Sequence, residues 1–348
     1  MRMKKSRYRS PEPKPRFGII ADFLAHLSLE PRPRQEISRP LKIMSVPTRQ
    51  SAQAPSANRG RMHPELMRCF CCIGVVVGHC NPDLIAVAIA GVAGFLTISV
   101  HFALEATSRA TLLTRALRAT KLWLTWSAIY ALVLVTRDLG RGRALGEGFE
   151  WWMVATGPSI HLWYLPALAV TLLVLSVAVS PCGVAPRSLR TLALFTGAAA
   201  VTALLSRLWQ PWPLPKPFGQ AAVAAFIACV AVAVHPLAKS LGRRAILFGW
   251  LMIAAGLAVQ LFEVDSWVSF ALIAVGTSPL CAAAQQAPGP LLIALASLTG
   301  GVYLCHMMFI AGLRFAGFNT AHWIPAVLIA SAALTTLARR TRLAPLFP

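Results

Sequence analysis

Residues 66–104 read LMRCFCCIGVVVGHCNPDLIAVAIAGVAGFLTISVHFAL, two apolar runs parted only by Asn81-Pro82-Asp83. Runs of about 20 apolar residues have the length needed to cross roughly 30 Å of hydrocarbon. Further runs follow with short polar breaks as far as the C-terminus. Ten candidate spans are read at 65–81, 84–104, 117–136, 161–180, 189–208, 219–238, 244–262, 266–284, 290–313 and 321–338. The expected fold is all-α, a polytopic transmembrane helical bundle of about ten spans.

Composition excludes a soluble globule. The hydrophobic set makes up 56% of the 348 residues and the charged set 13%, whereas soluble domains carry about twice that charged fraction. The formal charge of +21 would suggest a nucleic-acid partner in a soluble protein. Its distribution points elsewhere. Residues 1–65 hold 14 Lys/Arg against 5 Asp/Glu, leaving 19 against 7 in the remainder, where the cations sit mainly between apolar runs. With the N-terminus inside, thirteen fall on the inner side: Arg68, Arg109, Arg115, Arg118, Lys121, Arg187, Arg190, Lys239, Arg243, Arg244, Arg339, Arg340 and Arg342. Six fall outside: Arg137, Arg141, Arg143, Arg207, Lys216 and Arg314. This asymmetry favours N-in and C-in, an even span count agrees with it, and the expected partner is the lipid bilayer, not nucleic acid.

The first 60 residues, rich in Arg, Pro and Ser, lack the apolar content to fold alone and are expected to be a disordered basic cytoplasmic tail. Met44 and Met62 are candidate starts, and a short apolar patch, Phe17 to Leu29, could lie on the membrane. The segment has the basic charge of a signal-peptide n-region without a cleavable apolar core. A transmembrane domain is expected over 61–340, followed by a short cytoplasmic tail over 341–348. Eight cysteines lie mostly within apolar runs. Cys69 and Cys72 form a CxxC, but no second pair or histidine cluster completes a zinc set; no metal site is expected. Internal repeats and the inverted pairs of broken helices common in transporters are not visible.

Three segments are singled out for the ionisable groups they carry inside apolar runs. The first span places Arg68 and His79 eleven residues apart, three turns plus roughly 20° and about 16 Å along one helix face. An ionisable group at membrane depth tends to face a cavity or a partner, and histidine titrates near neutrality, as a general base must. A hydrogen-bonded histidine at the end of the span is the plain alternative. Asp83, four residues on, is a candidate to orient the imidazole, although Pro82 interrupts the helix between them. Gly74 and Gly78 form a GxxxG, ordinarily a close-packing device. The fourth span opens His161-Leu-Trp163-Tyr164-Leu-Pro166, which alone could be an interfacial aromatic belt. The ninth contains Gly300-Gly301-Val-Tyr303-Leu-Cys-His306, with Tyr303 and His306 on one face or simply packed.

Together these segments resemble acyltransferase family three, integral membrane proteins that include O-antigen and exopolysaccharide acetyltransferases. Arg68 and His79 fit the first-span Arg-x10-His motif. Arg115 and Arg118, followed by Trp126-Ser127-Ala-Ile-Tyr130, are similar to the basic stretch leading into the third span. His161-Leu-Trp163-Tyr164-Leu, with Pro181 closing the helix, is similar to the His-Leu-Trp-Phe-Leu element, and Tyr303-Leu-Cys-His306 to a late Tyr-Leu-x-His. The resemblance covers roughly residues 61–340. One departure is Phe102-Ala-Leu-Glu105-Ala, where the family usually has an aromatic-rich Ser-Gly turn.

The resemblance implies a membrane-bound acyltransferase of the bacterial inner membrane. It would move an acyl group, acetyl being the first candidate, from acyl-CoA to a hydroxyl of a cell-envelope glycan or lipid-linked sugar. No bound cofactor is expected; acetyl-CoA would be a co-substrate. A guanidinium grips phosphate bidentately, so Arg68, Arg115 and Arg118 are the donor-binding candidates, with plain positive-inside anchoring the alternative for the latter two. His79 is the catalytic candidate, as general base or as a transient acyl carrier. His161, Trp163, Tyr164, Tyr303 and His306 would form the acceptor pocket, with Tyr or His as candidate oxyanion donors. A non-catalytic transporter or flippase of a glycan intermediate on the same helical fold is the alternative function. Reporter fusions after Arg340 and within 182–188 are expected to read cytoplasm and a fusion within 138–150 the outside; an outer signal from 182–188 would overturn the ten-span arrangement.

Overall fold

In the computed structural model of the chain, the residues described are 62–106, 108–144, 146–179, 194–202, 216–242, 244–262, 267–283 and 287–347. The expected tail over 1–60, with Phe17 to Leu29 and Met44, lies outside them, as do Pro181, Arg187, Arg190, Arg207 and Arg243.

The described residues are helical, with no strand among them: α1 (Met62–Cys80), α2 (Ile85–Leu104), α3 (Arg109–Gly140), α4 (Tyr164–Val179), α5 (Lys216–Ser240), α6 (Arg244–Phe262), α7 (Trp267–Ala282), α8 (Pro290–Phe315) and α9 (Ile324–Arg339). Residues 194–202 are also helical. Where the expected spans fall on described residues, those residues are mostly helical, while much of 189–208 lies outside the described residues. Six helices are long and apolar enough to cross a membrane: Pro82–Leu104, Arg109–Gly140, Gly219–Ser240, Arg244–Phe262, Pro290–Phe315 and Thr320–Arg339; the apolar helices His161–Val177 and Trp267–Ala282 are shorter. Helix suits this setting because it satisfies every backbone polar group internally, where hydrocarbon offers no partner.

Local chemistry sets the helix ends. Pro82 has no N–H to continue the ladder of α1; Asn81 instead accepts the Asp83 N–H on its side chain at 3.1 Å and starts a 3-10 turn over Pro82–Leu84 that leads directly into α2. Ser108 caps α3 by accepting the Thr111 N–H at 3.2 Å. Helix α3 buries Leu112, Ala116, Ala119, Leu122, Trp126, Tyr130 and Leu134 at three- and four-residue intervals. Its opposite face exposes Leu117, Leu124, Leu132 and Leu139. An apolar outer face of that extent on several helices is the surface expected of a chain solvated by lipid.

Helix α2 is the hub, with 67% of its most apolar window buried, against 22% for the peripheral segment Thr320–Arg339. It meets α1 through glycines. A Cβ on Gly78 would lie 2.6 Å from the Ala88 Cβ and 2.7 Å from the Leu84 carbonyl, and one on Gly91 would lie 2.6 Å from the Cys71 carbonyl. The GxxxG of α1 therefore serves backbone-to-backbone packing. Helix α1 packs on its other side against α8, through a layer of Cys72, Val76, Cys80, Val302 and Ile310. The C-terminal residues fold back: the Trp126 indole N–H donates to the Leu346 carbonyl at 3.0 Å, and the Phe347 ring stands edge-on to Trp126 at 5.3 Å.

Because a side chain at residue 78 has nowhere to go, Gly78→Val is expected to destabilise the bundle by about 1–3 kcal/mol or more, the scale of core overpacking. Thermal unfolding of the purified protein in detergent would show it, and Gly140→Ala, which meets nothing within 4 Å, serves as the control.

Candidate active site

Three histidines from three elements meet inside the bundle. His79 belongs to the last turn of α1, His306 to the middle of α8, and His161 to a 3-10 turn over Ile160–Trp163 just before α4. The His79 and His306 rings stack at 5.4 Å with an interplanar angle of 25°. His161 stands edge-on to His306 at 5.1 Å and to His79 at 6.5 Å. Tyr130 of α3 and Tyr303 of α8 flank His161 at 5.1 and 5.7 Å.

Hydrogen bonds fix two of the three tautomers, since a carbonyl can only accept. Nε2 of His161 donates to the Leu304 carbonyl at 3.3 Å, leaving Nδ1 to accept the Ser159 hydroxyl at 2.8 Å. Nδ1 of His306 donates to the Tyr303 carbonyl at 2.8 Å, so Nε2 carries a lone pair, fully buried and without a hydrogen-bond partner. Of the two fixed imidazoles, His161 has both nitrogens satisfied and His306 keeps a free basic edge among the described residues.

A cavity of about 950 Å³ adjoins this cluster and shares Tyr303 with it. Arg68, Arg115, Arg118 and Arg339 all line it, with Glu65 and Glu105 as the opposing charges. Arg68 bonds Glu65 at 3.0 Å and lies 5.6 Å over the Phe102 ring. Arg115 donates to the Phe102 carbonyl at 3.0 Å. Arg339 braces Ser297 and the Phe347 carbonyl. At the cavity wall, Phe95, Tyr164 and Tyr303 form a triangle of rings 5.6–6.3 Å apart, and Tyr303 also stands 5.7 Å from the His161 ring.

The sequence-selected residues therefore fall into two groups joined at Tyr303. Arg68, Arg115 and Arg118 share the cavity; His79, His161 and His306 share the cluster. Tyr164, expected with the acceptor pocket, lies on the cavity wall instead, its hydroxyl 2.9 Å from Ser99 Oγ. It begins α4, and its contacts with Phe95 and Tyr303 draw it into the cavity wall. Trp163 packs half-buried against the apolar core and is not part of the ring cluster. Asp83 is exposed, and among the described residues no ion pair or hydrogen bond joins its carboxylate to His79. Nor are the tyrosines aimed as oxyanion donors, since Tyr303 donates to the His161 carbonyl and Tyr130 to the Leu304 carbonyl at 2.8 Å. Cys72 of the CxxC makes a weak bond to the Thr299 carbonyl at 3.6 Å. Among the described residues no set of three His, Cys, Asp or Glu could hold a metal. Phe95, Ser159 and Arg339 escaped the sequence reading. Arg339 had shown only as one of thirteen inner cations, and nothing local distinguishes Phe95 from its apolar neighbours.

A family model described as an acyltransferase domain matches residues 64–338. The chain belongs to this family. The matched range covers most of α1 through α9, taking in the histidine cluster and every cavity-lining residue except Arg339, and the transporter alternative gives way to an enzyme. Neither a curated protein nor a solved structure gives a significant match to the acyltransferase.

His161 reaches the cluster through Gly157, whose φ of 89° and ψ of 159° fall in a region occupied almost only by glycine. A Cβ there would also sit 2.8 Å from Ser127 Oγ and 2.9 Å from Leu162 Cδ1. Gly157→Ala is therefore expected to cost about 1–3 kcal/mol of strain and to lower turnover, read as a drop in Tm together with a lower initial rate of acyl transfer.

Proposed function

We propose that this acyltransferase takes an acyl group, acetyl in the first instance, from acyl-CoA at the arginine-lined cavity and delivers it to a hydroxyl of an envelope glycan or lipid-linked sugar at the histidine cluster. It would work as a ten-span, N-in and C-in protein of the bacterial inner membrane. The observation that carries this reading is the continuity of the two groups: one cavity gathers four guanidinium groups, and its wall residue Tyr303 lies against His161 and His306.

The chemistry fits the arrangement. Coenzyme A is an anionic donor, and guanidinium forks suit its phosphates. Arg118 makes no hydrogen bond within the described residues and is exposed at the cavity, so its donors are available without breaking a native contact. The acyl arm lies against Phe95, Leu165 and Leu168, which exclude water from the thioester.

At the cluster, His79 takes the proton of the acceptor hydroxyl as its oxygen bonds to the thioester carbonyl carbon. The carbon–sulfur bond then breaks, and the leaving thiolate recovers the proton from the imidazolium. General-base help of this kind is typically worth 10²–10⁴ in rate, an order-of-magnitude figure. His306 Nε2, an acceptor without a partner, suits a neighbouring hydroxyl of the sugar, because an unmet buried lone pair costs about 1–3 kcal/mol.

His79→Gln is expected to insert normally and to lose transfer by at least about 100-fold, since glutamine keeps a hydrogen bond but cannot take the proton. Arg68→Lys keeps the charge but loses the planar fork. It should raise the apparent KM for the acyl donor with a smaller effect on kcat. The assay is donor-dependent label transfer from acetyl-CoA to envelope material in membranes of equal protein content; near-wild-type transfer by His79→Gln would remove His79 from the mechanism.

A further inference from the structure

The outer end of α1 is held in an unusual way. A helix leaves its last four carbonyls without intrahelical partners, and two of these find side chains from elsewhere in the chain. Nη2 of Arg314 donates to the carbonyl of His79 itself at 3.0 Å. The Thr320 hydroxyl donates to the carbonyl of Cys80 at 2.6 Å. Arg314 closes α8, the helix whose His306 stacks on the His79 ring at 5.4 Å. Two contacts from one helix, eight residues or about 12 Å apart along its axis, thus grip residue 79 by its ring and by its backbone.

Ile310 lies between the two contacts on α8 and packs, with Val302, in one apolar cluster with Val76 and Cys80 of α1, which holds the two helices together at this level. The guanidinium also meets the negative end of the α1 dipole, where a cation is favourable. Asn81-Pro82 follows immediately, and with the helical ladder ended there the carbonyls of residues 79 and 80 have no continuation of their own helix to bond.

From this clamp we infer that Arg314 is a positioning residue for the transfer reaction: it fixes the backbone of His79, and Thr320 that of Cys80, so that the His79 imidazole stays in register with His306. The inference rests on the reading of His79 as the proton acceptor. Arg314 acts through His79 and needs no contact with either substrate.

The test compares Arg314→Met, Arg314→Lys and Thr320→Val with His79→Gln and the parent, in detergent-solubilised protein with labelled acetyl-CoA and a titrated envelope extract. Since displacement of a reacting group by about 1 Å can cost up to 10²-fold, Arg314→Met should lose about 10-fold in kcat while its donor and acceptor KM stay within about twofold. Arg314→Lys, which can still donate to a carbonyl, should recover most of the loss, and Thr320→Val should show a smaller fall of the same kind. Unchanged kcat in Arg314→Met, beside an inactive His79→Gln, overturns the positioning role and leaves the proposed reaction standing. A loss that a higher extract concentration restores also overturns it, because Arg314 would then bind the acceptor. Should Arg314→Met fail to accumulate, Arg314→Lys and Thr320→Val decide: parent-like kcat in Thr320→Val, or a rise in KM as the whole defect of Arg314→Lys, rejects the clamp. An active His79→Gln removes the reading of the site, and the positioning role with it.

Discussion

The close approach of α1 to α2 is the constraint on which the remaining geometry hangs. Gly78 faces Ala88 and Gly91 faces the Cys71 carbonyl, with no room for a Cβ at either glycine. This brings two backbones together as in membrane helix pairs, where small residues permit a distance that lipid-like side chains would prevent. With α1 so placed, its Arg68–His79 face has a fixed heading. Arg68 meets the Phe102 ring near the end of α2 and looks into the cavity, while His79 is carried to α8. A looser helix pair would leave the guanidinium and the imidazole on the same face but aim neither.

Polar groups within this bundle are arranged by what each may donate. Tyr303 spends its hydroxyl on the His161 backbone, Tyr130 spends its own on Leu304, and His161 donates to the same Leu304 carbonyl. These bonds consume donors that a developing oxyanion would want, while among the described residues the Nε2 lone pair of His306 is left as an acceptor. On the proposed reading, the resting site would be better equipped to remove a proton than to stabilise negative charge. Stabilising the tetrahedral intermediate requires one of these donors to turn from its carbonyl, or a donor carried by a substrate.

Charge is distributed with similar economy. The cavity gathers four arginines against two carboxylates, and three of the arginines are braced by native bonds to Glu65, Phe102, Ser297 and Phe347. If these arginines bind the donor as proposed, bracing would lower the conformational entropy lost when they engage a phosphate. Arg118 keeps that freedom. At the opposite end Arg314 contributes through a backbone carbonyl, so cations at the two ends of the Arg68–His79 axis do different work with the same fork of donors.

Much of this was fixed by the one-dimensional pattern. The apolar runs with their Asn-Pro and Ser breaks determined where helices start and stop, because the bilayer leaves the backbone few other ways to satisfy itself. The eleven-residue offset determined that Arg68 and His79 share a face, since helix geometry is local. Pairings between helices were not determined in this way: that Tyr164 joins the cavity wall, that Arg339 comes to the cavity and that Arg314 reaches the His79 carbonyl all depend on which helices become neighbours. Neighbour choice follows from side-chain volumes and glycine gaps summed over whole interfaces, and no single residue carries that sum. The sequence by itself determined the helices and the residues able to do chemistry; only the tertiary structure decided which of them meet.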